Sequence, residues 1–159
     1  MRDPRQTDLT VIVLAAGGGT RMKSKTMKVL HPVAGRSMVG HVLAAVQGVQ
    51  PRRVVTVVGH QREQVAPHVE ALLPGVVLAV QEEQRGTGHA VRVAMEALAG
   101  EEPSGTVLVA YADTPLLQSE SLARFAEEHE AAQRAVSILS GVVERPTGYG
   151  RIEIGRAHV

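Results

Sequence analysis

The 159-residue sequence predicts an α/β fold, a parallel sheet covered by helices on both faces. Three observations carry that prediction. Short apolar runs recur along the chain and alternate with segments of helical spacing. The first run ends in three consecutive glycines, the punctuation of a strand entering a tight loop. Apolar residues make up 44% of the chain and charged residues 21%, a globular balance with enough apolar matter for one core.

The elements follow in order. Residues 9–14 read as a buried strand. Residues 37–46 carry Met38, Val42, Leu43 and Val46 at helical spacing, the stripe that seats a helix on a sheet. A second β-branched strand, 53–58, is closed by Gly59. Residues 61–73 read as a helix that Pro67 is expected to interrupt. A third strand occupies 76–80. Residues 88–98 form a helix with Ala90, Val91, Ala94 and Leu98 on one face. The fourth strand is 106–111, a long charged helix covers 119–134, and a fifth strand is expected at 135–142. No internal repeat, linker or low-complexity tract interrupts this series. In such sheets ligands bind beyond the carboxyl ends of the strands. The residues with chemical promise all lie just past those ends.

Composition removes several function classes. Aromatics are only 2%, which argues against stacking on single-stranded nucleic acid. The net charge of +1 gives no reason to propose a polyanionic partner. Without cysteine there is neither a disulfide framework nor a thiolate metal site. The seven histidines are scattered, with no pair at i, i+4. No apolar run approaches the roughly 18 residues of a membrane span. The first eight residues are polar and lack the apolar segment of a secretory signal, so a cytoplasmic location is expected.

The most informative stretch is Leu14-Ala-Ala-Gly-Gly-Gly-Thr-Arg-Met22, followed by Lys28-Val-Leu-His-Pro32. A loop without side chains lets backbone N–H groups approach a polyphosphate, and Arg21 and Lys28 supply the charge such an anion needs. A plain strand-to-helix turn has no need of that arginine and lysine. Two better-known glycine motifs fail: no Gly-Lys-Ser/Thr string completes a P-loop, and Met22 stands where a dinucleotide fingerprint needs its third glycine.

Three further clusters follow strands. Gln81-Glu-Glu-Gln-Arg-Gly-Thr-Gly-His-Ala90 follows the third, with Thr87 placed to cap a helix. Tyr111-Ala-Asp-Thr-Pro-Leu116 follows the fourth. Its Asp113, at a strand end beside a phosphate loop, is a hard ligand suited to Mg²⁺, or else the start of a capping turn. Pro146-Thr-Gly-Tyr-Gly-Arg-Ile152 follows the fifth.

Taken together, these four ordered motifs resemble the signature of the sugar-phosphate nucleotidyltransferases. Within that family the chain is most similar to the uridylyltransferase domain of the bifunctional enzymes that make UDP-N-acetylglucosamine. The likeness spans Leu9 to Ile152, and Val57-Val-Gly-His60 also fits the family's second strand and its exit. It implies a Rossmann-like nucleotidyltransferase fold, mostly parallel and here incomplete. It implies UTP and N-acetylglucosamine 1-phosphate as substrates, with no nucleic-acid or membrane partner, and Mg²⁺ as cofactor. Leu14, Ala15, Ala16, Gly17 and Gly19 would cradle the nucleotide through backbone groups. Arg21 and Lys28 would be catalytic, stabilising charge on the triphosphate. Gln81, Gly86 and Thr87 would hold the uracil, whose edge presents two carbonyl acceptors and one N–H donor. Tyr111, Ala112 and Asp113 would bind nucleotide, with Asp113 the metal ligand, and Gly150 would approach the sugar. The chain departs from the family at Ala112, where glycine is usual, at Met27, where proline usually precedes the lysine, and at Gly18, where a longer side chain is common. Open alternatives are a sister enzyme with another sugar phosphate or nucleotide, a non-catalytic nucleotide-binding module, and an oxidoreductase, which Met22 disfavours.

Family members continue beyond Ile152, into a second metal ligand, an asparagine, and usually a left-handed β-helix with an acetyltransferase site that drives trimerisation. The nucleotidyltransferase portion is therefore expected at 1–152, and the isolated piece is expected to be monomeric. Residues 153–159 lie outside the likeness. Ile154-Gly-Arg-Ala-His-Val159 can be encoded by a string resembling a common sequencing adapter, and the expectation is an artefact on a truncated gene.

Overall fold

A computed structural model describes residues 7–17, 22–98, 105–145, 147, 148, 150 and 152. The opening apolar run forms β1 (Thr7–Leu14). Its side chains alternate between two cores. Leu9, Val11 and Val13 enter one and Ile12 the other, all nearly or fully buried. Burial on both faces is what makes a continuous apolar strand favourable, at about 1.5–3 kcal/mol per large side chain.

A short 3-10 turn, Lys28–Leu30, leads into a two-residue ladder between β2 (Pro32–Val33) and β3 (Arg36–Ser37). The turn between them holds Ala34 and Gly35 at φ 47° and 83°. This hairpin is absent from the periodicity, because two-residue strands leave no pattern to read. Helix α1 (Met38–Gly48) starts at Ser37, whose hydroxyl accepts from Gly40 N–H at 3.1 Å. Of the expected stripe, Val42, Leu43 and Val46 are buried while Met38 is only partly so, and Val39 joins the buried face instead.

The alternation then continues through β4 (Pro51–Val58), α2 (Arg62–Leu72), β5 (Val77–Val80), α3 (Thr87–Ala97), β6 (Thr106–Tyr111) and α4 (Ser119–Ala131). The main sheet has the order β5-β4-β1-β6, and every pairing in it is parallel. Helices α1, α2 and α4 share the core on one face, and α3 covers the other. The expected α/β architecture, helices on both faces, is therefore present.

Four details differ from the sequence reading. Pro67 lies inside an unbroken α2, which Val65 and Val69, one turn apart and buried, hold onto the core. Gly86 is the N-cap of α3, so Thr87 is the first helical residue and makes no side-chain cap bond. Helix α4 ends at Ala131, and Gln133 just beyond turns left-handed at φ 48°. The fifth strand expected at 135–142 is not formed. Val136, Ile138, Leu139 and Val142 are exposed, and a cleft of about 720 Å³ separates 135–139 from β6. A strand exists only through its ladder partner, and across that gap β6 offers none.

Candidate active site

The chain runs outward from β1 through β4 to β5, then crosses back to β6 on the other side of β1. That reversal makes the gap between β1 and β6 the switch point of the sheet, where open α/β sheets leave a crevice. The register brings the strand exits level: Leu14 lies opposite Val57 on one side and Tyr111 on the other. The cleft there has a volume of about 480 Å³. Leu14, Ala16, Gly17, Lys28, Gln81, Gly86, Thr87, Tyr111 and Asp113 all line it. The sequence proposed each of them, from segments separated by up to about a hundred residues.

Lys28 and Asp113 meet across the cleft, with Nζ donating to Oδ2 at 2.6 Å. Each side chain is 37% exposed, so solvent screens the pair and it contributes little to holding the fold. They are the only charged residues among the described lining.

Lys28 is placed by what precedes it. Met27 is buried in the core beside Val29. Its N–H donates to Gln64 Oε1 at 3.4 Å, while Gln64 Nε2 donates to the Lys25 carbonyl at 3.3 Å. One amide of α2 thus grips both sides of the segment that delivers the lysine. Met27 has φ −57°, a value proline also adopts, so the departure from the family's proline leaves the backbone path intact. Asp113 is turned toward the cleft just beyond β6, where Thr114 Oγ1 donates to the Tyr111 carbonyl at 2.8 Å. The extra methyl of Ala112 is fully buried in the core on the α1 face, so it does not crowd the cleft.

The glycine loop is tied to the loop after β5. Gln84 Nε2 donates to the Ala16 carbonyl at 2.7 Å. Beneath it, Gly59 leaves β4 so closely that a Cβ there would sit 3.0 Å from the Ala16 Cβ. Gln81 is 4% exposed, and its Nε2 donates to the Gly86 carbonyl at 3.3 Å and to His89 Nδ1 at 3.0 Å. Gly86 itself has φ 90° and ψ 176°, a conformation essentially restricted to glycine.

Some expected residues sit elsewhere. Ala15 is buried, and its N–H donates to the Val57 carbonyl at 2.8 Å. Ala112 N–H donates to the Leu14 carbonyl at 3.0 Å. Both amides extend the sheet and are not free to bind phosphate. Gly150 is exposed and does not line the cleft. Gly19 and Arg21 lie outside the described residues, as does Gly18. Gln64, Gln84 and His89 are the positioning contacts that sequence reasoning missed. Gln84 and His89 stood inside a quoted motif, but only the fold shows what their side chains hold.

Among the described residues no group of three or more His, Asp or Glu could cage a metal ion. No described helix is long and apolar enough to cross a membrane.

Comparisons with known proteins bear on the family and the fold. The chain is 56% identical over 144 residues to the bifunctional protein GlmU of Thermobifida fusca, covering 89% of this chain and 30% of that protein. The match lies in the N-terminal part of the relative. Two solved structures share the fold. A manganese complex of Rv0371c from Mycobacterium tuberculosis gives a TM-score of 0.60 at 23% identity, covering 79% of this chain and 61% of that one. A nucleotidyl transferase from Methanothermobacter gives 0.58 at 24% identity, covering 75% and 56%. The family model for the MobA-like NTP transferase domain matches residues 11–152. The chain belongs to the MobA-like NTP transferase domain family.

Proposed function

We propose that this domain transfers a uridylyl group from UTP to N-acetylglucosamine 1-phosphate and belongs to a polypeptide of the GlmU type. The observation that carries the reading is the meeting of Lys28 and Asp113 at the mouth of a glycine-walled cleft, opposite an amide-bearing loop. It joins a cation for phosphate, a hard oxygen ligand and a polar base pocket at one switch point.

In the reaction an oxygen of the sugar phosphate attacks the α-phosphorus of UTP. The bond to the β-phosphate oxygen breaks, and pyrophosphate leaves with the bonding electrons. Such chemistry needs positioning and charge neutralisation more than covalent help. Lys28 would leave Asp113 for the triphosphate and balance charge that builds on the leaving group. Arg21, close behind the glycines in sequence, would share that task. Gly17 sets no side chain in the way; among the described residues a Cβ there would meet nothing within 4 Å, room that phosphate would use. Gln81, Gly86 and Thr87, which line the cleft, would hold the uracil.

A divalent cation fits this donor set in one particular way. One half-exposed carboxylate, Asp113, is too little for a standing protein site. It suits Mg²⁺, which commonly uses one or two carboxylates and takes its remaining ligands from substrate phosphates and water. When bound, such an ion would neutralise phosphate charge.

The test is pyrophosphate release by the full polypeptide with N-acetylglucosamine 1-phosphate and each of the four nucleoside triphosphates. The reading expects turnover with UTP and Mg²⁺. A clear preference for another triphosphate would reassign the domain to a sister enzyme, and nucleotide binding without turnover would leave only its binding half.

A further inference from the structure

Gln81 is one of only four buried polar residues described, and its amide polarity is fixed by its neighbours. The Gly86 carbonyl can only accept, so the side-chain nitrogen must face it, at 3.3 Å. The same nitrogen lies 3.0 Å from His89 Nδ1. An amide nitrogen has only protons to offer, so Nδ1 accepts, and the ring carries its proton on Nε2. Both amide protons are thus spent inside the loop. The polar function that Gln81 keeps for a ligand in the cleft is its carbonyl oxygen.

We infer that His89 is a positioning residue that sets base choice, by holding Gln81 with its acceptor toward the cleft. This rests on the uridine reading proposed above. Uracil meets an acceptor with its N3–H. Cytosine carries a lone pair at N3, so the same geometry sets acceptor against acceptor. Without the Nδ1 acceptor, the longer Gly86 contact is, among the described residues, what opposes a half-turn of the amide. The flipped amide would present N–H to the cleft and suit cytosine instead. A site built around one hydrogen-bond polarity rejects the ligand that leaves it unpaired.

The experiment measures UTP and CTP affinity, kcat and KM in the full polypeptide carrying His89→Leu, His89→Ala, His89→Asn, Gln81→Ala and the double variant Gln81→Ala/His89→Leu. The Leu and Ala variants remove the acceptor. Asn restores one, because its Oδ1 hangs from Cγ as Nδ1 does. The expected result is UTP binding weaker by roughly 3- to 10-fold in the Leu and Ala variants, the factor one hydrogen bond sets. The UTP-to-CTP preference narrows with it, kcat at saturating UTP holds within about two-fold, and Asn recovers most of the loss. The double variant should be no worse than Gln81→Ala alone. If Gln81→Ala weakens UTP binding while the His89 variants do not, the inference is overturned and the uridine reading stands. Additive losses in the double variant, or no rescue by Asn, would also overturn it. If Gln81→Ala leaves UTP binding unchanged, the base-pocket reading fails, and this inference with it.

Discussion

At the scale of single residues, Lys28 is the charge on which the proposed chemistry depends. Its ion pair with Asp113 is half-exposed, so the two charges matter more to a bound anion than to the fold. Lys28→Ala is therefore expected to lower kcat/KM by about 10²- to 10³-fold, the usual loss when one preorganised donor at a developing charge is removed. The thermal midpoint should barely move, and a steady-state assay beside a melting curve checks both. Gln64 provides a subtler case. It touches no cleft atom directly, yet it clamps the backbone from Lys25 to Met27. Gln64→Ala should cost between about 10- and 100-fold in kcat/KM through misplacement of Lys28. The further loss on adding Lys28→Ala should be smaller than in the wild-type background, and a double-mutant cycle reads this directly.

At the scale of elements, glycine conformation decides how α3 begins. Gly86 must hold φ 90° and ψ 176° for Gln81 to reach its carbonyl. Gly86→Ala is expected to destabilise the fold by about 1–3 kcal/mol, seen as a lower urea midpoint with an unchanged slope. The main strands and helices were legible in the sequence because each carries an apolar run or a helical stripe, which the central strands β1 and β4 bury most completely and β6 buries on alternate residues. Val11 to Val13 and Val55 to Val58 need no tertiary knowledge to be read as strands, since every one of them faces a core. The errors fall where local pattern and tertiary partner disagree. Val136, Ile138 and Leu139 look like a strand but find no ladder. Pro67 looks like a break but is carried by the packing of Val65 and Val69. The lining of the cleft was legible from residue chemistry. Its scaffolding was not, because a glutamine such as Gln64 acts on a segment 39 residues away, and no spacing rule records that.

At the scale of the whole molecule, the sheet is uneven. β5 closes one side and β6 the other, and the β6 side carries more of the exposed apolar residues. Val107, Val109 and Tyr111 stand exposed along it, facing the apolar cleft beneath residues 135–139. Long apolar edges of this kind recruit other strands. Against the monomer expected from the sequence, this edge predicts that the 159-residue chain self-associates as its concentration rises, and that Val109→Lys suppresses it, both read by light scattering. The nucleotide cleft is built at the exits of β1, β5 and β6, and it meets that edge at Tyr111 and Thr87, which line both cavities. The most direct test of the central claim is equilibrium binding of the four nucleoside triphosphates to the chain, with and without Mg²⁺, followed by the same titration of Lys28→Ala. The account predicts that UTP binds most tightly, that Mg²⁺ strengthens binding, and that Lys28→Ala weakens it by at least about tenfold. Equal affinity for all four, or UTP binding indifferent to Lys28, would contradict it.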